Sequence, residues 1–552
     1  MRFKTVVLCL VLYLSAAAVH GAASAQFFVD DAGIFRVPQD YPTIQTAIDS
    51  APDGARIAVA PGAYTENLFI DGKRLFLYSV EDRRTTRIHG NYAGPVFTIS
   101  GPGAVVGIKG FFLTDGSDIV GAAVVARHAE LSLFDNEIRN NETLRRGAQL
   151  HLESCDTLLA RNYIGSPAAT VIRSIGGRIF MFGNTVEGTS VATGTQLENM
   201  AEVKLIRNSF RESGTGLHLV SCEDAVVAGN VFYWNVQGAR FEAGSCDIIS
   251  NLVVRNQIGG IIIDNVSDAN LWFNTFYRNL GDGLHIVSGQ AQVFNSILAS
   301  NLDGVGLRAD EGSSLTADYN LYWNNEYGAY GGLAVAGEHD IEADPMFVRG
   351  PIDIHYLDPA SPAIDAGTGA LSQFCLPDDP GFSFGAFALD DCGVFRGEVC
   401  LDDFTTLVDE TADNDPPDLG FHYAPQHPTP TPIPPAIPVQ LDLHLSQSMF
   451  YPGDRLTLDL QLDNLTNWTL ATETFLLLEV SGSFWFWPSW SLPPDSRLAC
   501  LAPGAQTINV LDFTWPADSG AAAGIRFWSA VFEPSTYDLL STIDMVEWGF
   551  AN

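Results

Sequence analysis

Three histidines sit in near-identical tripeptides: Leu150-His151-Leu152, Leu217-His218-Leu219 and Leu284-His285-Ile286, with 67 residues between successive histidines. An apolar-polar-apolar triplet reads as a strand that buries its flanks and turns its middle residue outward. The same outward position, followed along the chain, holds His151, Arg173, Glu198, His218, Glu242, Asp264, His285 and Arg308. Four consecutive members, His218, Glu242, Asp264 and His285, with Arg308 beyond them, suit acid–base chemistry. A carboxylate orients or deprotonates, an imidazole moves a proton, and Arg308 neutralises an anionic substrate group. Two histidines and two carboxylates are also a donor set for a divalent ion, although a flat ladder converges poorly on one point. The competing reading is a solvated face whose opposite charges pair between neighbouring strands.

Such a row needs elements stacked at a fixed interval, and the sequence supplies them. Asn136, Asn162, Asn184, Asn208, Asn230, Asn251, Asn274, Asn295 and Asn320 each open a short Asn-x-apolar segment, at intervals of 21 to 26 residues. A second asparagine follows most of them: Asn141, Asn235, Asn256, Asn279, Asn301 and Asn325. A period of this length in short strands without helical periodicity predicts an all-β solenoid, each repeat one coil stacked about 4.8 Å from the next. Asparagine suits the corners, because it tolerates left-handed backbone angles and its amide can bond the next coil's amide. Cys222 and Cys246 are expected to match in adjacent coils as small buried thiols.

The opening stretch runs Tyr41-Pro42-Thr43-Ile44-Gln45-Thr46-Ala47-Ile48-Asp49-Ser50-Ala51-Pro52-Asp53-Gly54, then Ile57-Ala58-Val59-Ala60-Pro61-Gly62. The exit carries Asp344-Pro345-Met346-Phe347, Ser361-Pro362-Ala363-Ile364-Asp365-Ala366-Gly367 and Asp418-Leu419-Gly420-Phe421-His422-Tyr423. With the repeat, these segments resemble the right-handed parallel β-helix proteins of the pectin-lyase-like superfamily over roughly residues 34–424. The resemblance implies a short amphipathic helix capping the first coil, which protects an otherwise open sheet edge. It does not fix an activity, because that fold hosts lyases, hydrolases, esterases, epimerases and non-catalytic binders. The polygalacturonase signature of Asn-Thr-Asp, a paired Asp-Asp and Gly-His-Gly is not intact, since Asn184 and Asn274 are followed by Thr-Val and Thr-Phe, and the later segments of pectin methylesterases and a pectate-lyase calcium cluster are not recognisable.

Three residues beyond their asparagines, Tyr233, Tyr277 and Trp323 are expected to face outward, where rings can stack on sugars or lie under the C-terminal extension. Residues 425–438 hold seven prolines, a stiff linker. Residues 439–552 alternate apolar and polar residues in short runs and predict a β-sandwich resembling the immunoglobulin-like modules of secreted bacterial proteins. Within it, Phe484-Trp485-Phe486-Trp487 puts its tryptophans on one face, a candidate sugar platform or simply core. Calcium is the one cofactor the composition suggests, for twelve acids between 378 and 418; without EF-hand spacing, a solvated acidic loop is the plainer reading.

Met1–Ala25 reads as a secretory signal: Arg2 and Lys4, an apolar run, and Ala23-Ser24-Ala25 before a cleavage point, leaving residues 26–424 for the solenoid. No later stretch is long and apolar enough for a membrane span. Seven cysteines would remain, so at least one thiol stays unpaired, and one local disulfide among Cys375, Cys392 and Cys400 is expected. A net charge of −36 argues against nucleic-acid partners. The expected function is that of an exported protein binding, and in an enzymatic version processing, an extracellular polysaccharide by lyase, hydrolase or epimerase chemistry. The alternatives are a non-catalytic adhesion or structural protein and, more remotely, a periplasmic metal handler.

Overall fold

The computed structural model describes residues 34–423 and 438–551, apart from 144–146, 167–169, 352, 378–397, 410, 415, 466–469, 481–482, 488–489, 491–496, 502–503, 517–519 and 533–538. The signal segment, most of the linker and Cys392 lie outside the described residues.

Several coils are built from one long and one short strand, and in the others the long strand is split in two, as at Gly259–Asp264 and Val266–Trp272. In the central repeat the long strand is Thr215–Ala228 and the short one Val231–Tyr233; the next coil repeats them as Gln237–Ile249 and Leu252–Val254. Ser221 and Ala243, at φ 53° and 60°, bend the long strands into two faces. The chain therefore turns three times per coil. First and second faces belong to a 21-stranded sheet and the third to a 13-stranded sheet, paired in parallel throughout. The interior is apolar on every face: Leu217, Leu219, Val227 and Phe232 are fully enclosed, and Phe210 and Phe232 stack with centroids 5.1 Å apart.

The asparagine repeat forms a ladder between the second and third faces. Nδ2 of Asn208, Asn230 and Asn251 donates to Oδ1 of Asn230, Asn251 and Asn274 at 3.1, 3.0 and 3.0 Å. The second series, Asn235, Asn256, Asn279, Asn301 and Asn325, does the same at the next corner, at 2.8 to 3.2 Å. Two expectations need correction. The left-handed residue is the one before the ladder asparagine, as at Arg207 (φ 56°) and Ser250 (φ 49°), because that residue turns the corner while the amide points inward. Asn295 is itself such a corner residue; Ser296 takes the ladder place, receiving the Asn274 N–H and donating its own to Asn320 Oδ1.

The helix Ile44–Ser50 covers the first coil with Ile44, Ala47 and Ile48. Thr43 and Thr46 form its capping box, and the Glu66 carboxylate accepts the N–H groups of Ile44 and Gln45 at 2.9 Å each. Cys155, Cys222 and Cys246 are buried free thiols whose pKa values are raised by burial. Cys222 and Cys246 do not match across coils: Cys222 faces Gly244, and Cys246 faces Ala225 after a register shift. Gly244 (φ 83°) is required there, since a Cβ would lie 1.9 Å from the Cys222 carbonyl oxygen.

The C-terminal residues form a separate unit. A three-stranded sheet (Val439–Leu445, Arg455–Asn464, Gly504–Thr514) and a six-stranded one built around Leu470–Val480 and Ala522–Phe532 share a core of Leu458, Leu460, Leu476, Phe527, Trp515 and Trp548. The tryptophan platform is corrected here. Trp487 is buried and Trp485 packs against this core, so neither offers a ring face to a sugar. Phe484 and Phe486 point the other way and line an apolar groove with Phe475, Trp528 and Phe532.

Candidate functional site

The first face carries the predicted ionisable row as two columns, not one. Strand register places His151, Arg173, Gln196, His218, Arg240, Ile262, His285 and Arg308 in one column. Glu198, Val220, Glu242 and Asp264 occupy the column two residues further along. The predicted series His218, Glu242, Asp264, His285 thus steps between neighbouring columns, and Arg240, missed in the sequence reading, stands between them. Alternation explains the slip: residues two apart on a strand both face outward, and spacing alone does not choose between them.

One motif recurs across this face, a carboxylate shared by a histidine and an arginine. Glu153 takes His151 Nε2 and Arg127 Nε, both at 2.7 Å. Asp310 takes His285 Nε2 at 2.8 Å and Arg308 Nε at 2.9 Å. Glu242 contacts Arg240 closely and lies 3.3 Å from His218 Nε2, while Arg240 also reaches Asp264 at 2.7 Å. Ser288 donates to the other Asp264 oxygen at 3.0 Å. Arg173 pairs with Glu198 at 3.0 Å, so each predicted member has an oppositely charged group beside it. Among the described residues, however, His218 Nε2 makes no hydrogen bond, and no group of three ligating residues converges on a metal position.

These pairings set an acid limit on the solenoid. The His151 and Arg127 hydrogen bonds hold Glu153 below its ordinary pKa, and those of His285 and Arg308 do the same for Asp310. At Glu242 burial works upward, but Arg240 and His218 outweigh it and the net shift is downward. A carboxylate lowered on folding stabilises the fold above its unfolded pKa, about 3.9 for Asp and 4.3 for Glu, and loses that contribution as pH falls through the lower folded value. Urea unfolding between about pH 6 and pH 3 is expected to show stability falling below about pH 4, and less steeply in a Glu153→Gln/Glu242→Gln/Asp310→Asn variant. An unchanged slope in that variant would assign the acid sensitivity to other groups.

A cavity of about 610 Å³ lies elsewhere, against the third face. Its floor comes from the strands Ser209–Arg211 and Val231–Tyr233, with Val254 beside them; Arg207 and Arg255 rise from corners at φ 56° each. The opposite wall is the returning C-terminal segment: Asp353, Ile354, His355, Phe404, Phe421 and Tyr423. That segment climbs the coils in steps. The N–H of Gly420 donates to Asn295 O (2.8 Å), that of Phe421 to Thr275 Oγ1 (2.9 Å), and that of His422 to Ser250 Oγ (2.9 Å). Asn295 adds a two-way amide pairing with Thr368, at 2.7 and 3.0 Å. His422 is enclosed, with Nε2 2.8 Å from Asp413 and Nδ1 2.9 Å from the Gly420 carbonyl, so it anchors the wall and has no nitrogen left for a ligand.

The three arginines of the cavity differ in commitment. Arg211 is paired with Glu187 at 2.7 Å, and the Arg207 guanidinium lies over the Phe404 ring at 4.9 Å. Arg255, also on the cavity lining, has no ion-pair or hydrogen-bond partner for its guanidinium among the described residues. On the wall, His355 is buried; its Nδ1 lies 2.9 Å from Asp353 Oδ1, and Nε2 has no partner among the described residues. Burial raises the Asp353 pKa, but His355 together with the hydrogen bonds from the Ile354 N–H and the Tyr423 hydroxyl outweighs it, and the carboxyl sits below its ordinary value.

The predicted aromatic column is present: Tyr233, Tyr277 and Trp323 occupy one position of the third face, alternating with Val254 and Ala299. Only Tyr233 lines the cavity. Tyr277 is covered edge-on by Phe347 and His355, at 5.1 and 5.2 Å, and Trp323 is exposed away from the cavity. His218, Glu242, Asp264, His285 and Arg308 do not line it either. Cys375 is disulfide-bonded to Cys400. Asp378, Asp379, Asp390 and Asp391 lie outside the described residues. Asp413 and Asp418 are buried hydrogen-bond acceptors, not solvated loop residues; burial and then Asp413 raise the Asp418 pKa.

Residues 193–343 match the family described as the right handed beta helix region. This stretch is a right-handed parallel β-helix. Among solved structures the chain is similar to a mannuronan C-5 epimerase A-module from Azotobacter vinelandii, at 13% identity over 55% of this chain and 94% of that one, with a TM-score of 0.26. It is also similar to a β-glucosidase from Listeria innocua in complex with glucose, at 13% identity over 26% of this chain and 19% of that one, with a TM-score of 0.13. None of the curated proteins compared with it matches. Among the described residues, no helix is long and apolar enough to cross a membrane.

Proposed function

We propose that this protein is exported and binds an acidic polysaccharide, seating a short charged stretch of it between the third face and the C-terminal segment. The observation that carries this reading is the set Arg207, Arg211 and Arg255 around one cavity in a chain of net charge −36. Such a chain repels anions over most of its surface, so cations gathered in a recess give anionic groups one favoured landing place. Tyr233 and Phe421 supply ring faces beside those cations, the mixture that sugars bearing carboxylates or sulfates require. The volume lies within the range of about 300–1,000 Å³ usual for ligand sites.

The pairing on the first face favours the non-catalytic version of this reading, a rigid binding or adhesion module. A carboxylate already holding a histidine and an arginine is poorly placed to take a substrate proton. The test is affinity electrophoresis of residues 26–552 through gels containing uronate-bearing or neutral polysaccharides. Retardation by a uronate polymer is expected, fading in about 0.5 M salt as exposed charges are screened. Equal retardation by neutral polymers, or none by any, would overturn the proposal.

A further inference from the structure

The corner that follows the third face carries a column of its own. Glu212, Trp234, Arg255, Arg278 and Ser300 occupy it on successive coils, all at φ between 55° and 57°. The N–H groups of Trp234, Arg255 and Arg278 donate to the carbonyls of Val254, Tyr277 and Ala299, at 3.4, 3.2 and 3.2 Å, so neighbours in the column lie one coil apart. Trp234 is 51% exposed and Arg278 is exposed. The Trp234 ring lies nearly flat on Tyr233 of the cavity floor, with centroids 5.5 Å apart and planes at 18°. The Arg278 guanidinium sits over Tyr277 at 5.2 Å and, like that of Arg255, has no ion-pair or hydrogen-bond partner among the described residues.

Two guanidinia one coil apart repel each other. The corner before the third face treats the same situation differently: Asp135 and Arg161, left-handed and one coil apart, join through two hydrogen bonds of 2.8 Å each. No carboxylate takes that part at Arg255 and Arg278 among the described residues, and Glu212 is two coils from Arg255 with Trp234 between them. The positive charge of the cavity thus continues past its rim, along the solenoid axis, in a chain whose net charge is −36. An anionic group on each guanidinium relieves the repulsion and gains charge-assisted hydrogen bonds.

Resting on the binding proposed above, we infer that Trp234, Arg255 and Arg278 form a rail along this corner for a linear glycan with anionic groups on several sugars, one ring stacking on Trp234 while Arg255 and Arg278 each hold an anionic group. The coil interval of about 4.8 Å is close to the advance of such a chain per sugar, so successive coils meet successive sugars. The ligand class is therefore a run of charged sugars, and a single terminal uronate engages only part of the site.

The experiment is calorimetric titration of uronate oligosaccharides of increasing length, and of a neutral oligosaccharide ending in one uronate, at low and raised salt. It compares wild-type protein with Arg278→Gln, Trp234→Ala and Arg255→Ala, and unchanged urea midpoints verify their folds. Wild-type affinity is expected to rise about tenfold or more once the oligomer is long enough to reach Arg278. Arg278→Gln should remove that gain, flatten the salt dependence of the longer oligomers and leave the single-uronate ligand bound as before. Trp234→Ala should weaken binding several-fold with the salt dependence unchanged, as the loss of a ring contact requires. A gain with length that is the same in Arg278→Gln as in wild type, or a single uronate bound as tightly as the oligomers, would overturn the rail; if Arg255→Ala still weakened binding, the cleft reading would stand. Failure of every uronate oligosaccharide to bind wild-type protein would remove both.

Discussion

Arg255→Ala is expected to weaken binding of a uronate oligosaccharide by about tenfold to a hundredfold, with the thermal stability of the protein unchanged. A charge-assisted hydrogen bond contributes about 1.5–3 kcal/mol, which converts to that range of affinity. The effect should concentrate at Arg255 because its guanidinium has no partner among the described residues. Arg211 must share itself with Glu187, so its own contribution to ligand binding should be smaller. Arg207 is partly occupied by Phe404. Arg455→Ala is the control, since Arg455 sits on the separate C-terminal unit, paired with Asp512 at 2.7 Å. Lysine at 255 should restore part of the affinity, as a point charge lacking the fork of a guanidinium. Affinity unchanged in Arg255→Ala would place the ligand elsewhere.

The second large effect concerns the scaffold. Asn251→Leu should destabilise the solenoid by about 3 kcal/mol or more, because each buried polar group left unpaired costs about 1–3 kcal/mol. The amide of Asn251 accepts from both the backbone and side-chain nitrogens of Asn230, at 2.9 and 3.0 Å. It also donates to Val227 O and Asn274 Oδ1, at 2.8 and 3.0 Å. Leucine fills the volume but leaves the buried Asn230 backbone N–H without its acceptor and removes the side-chain donor to Val227 O and Asn274 Oδ1. Asn295→Leu makes an informative contrast, because Asn295 lies outside the ladder and ties down Thr368. It should weaken sugar binding by loosening the cleft wall while shifting the solenoid's urea midpoint less than Asn251→Leu does. Equal midpoints for the two variants would contradict the distinction drawn between ladder and corner.

The scaffold was legible in the sequence because its physics is periodic. A buried amide must meet another amide one coil away, so the asparagines recur, and the recurrence survives reading without coordinates. The helix at Ile44–Ser50 was legible by resemblance. Register on the outer face was not, because inside-outside alternation leaves two outward columns per strand, and Arg240 and Glu242 both qualify. The one-residue slip at Asn295 was hidden because serine can also do the ladder's work, as Ser296 does. The cleft left the weakest trace. Its floor lies on coils near residues 207–255, its wall comes from 353–423, and nothing in the repeat announces that the chain returns. Tyr233 was the one cavity residue expected to contact a ligand, while Phe421, His422 and Tyr423 entered only as part of the exit motif. Arg255 carried no signal, since a corner arginine in a charged protein looks like any solvated residue.

The central claim is that sugar binds against the third face beneath the C-terminal segment, and a crystal structure with a bound uronate oligosaccharide tests it most directly. Sugar is expected across Arg211 and Tyr233, with a carboxylate on Arg255. Sugar lying instead on the first face beside His218 and Arg308, or in the apolar groove at Phe484 and Phe486, would contradict it.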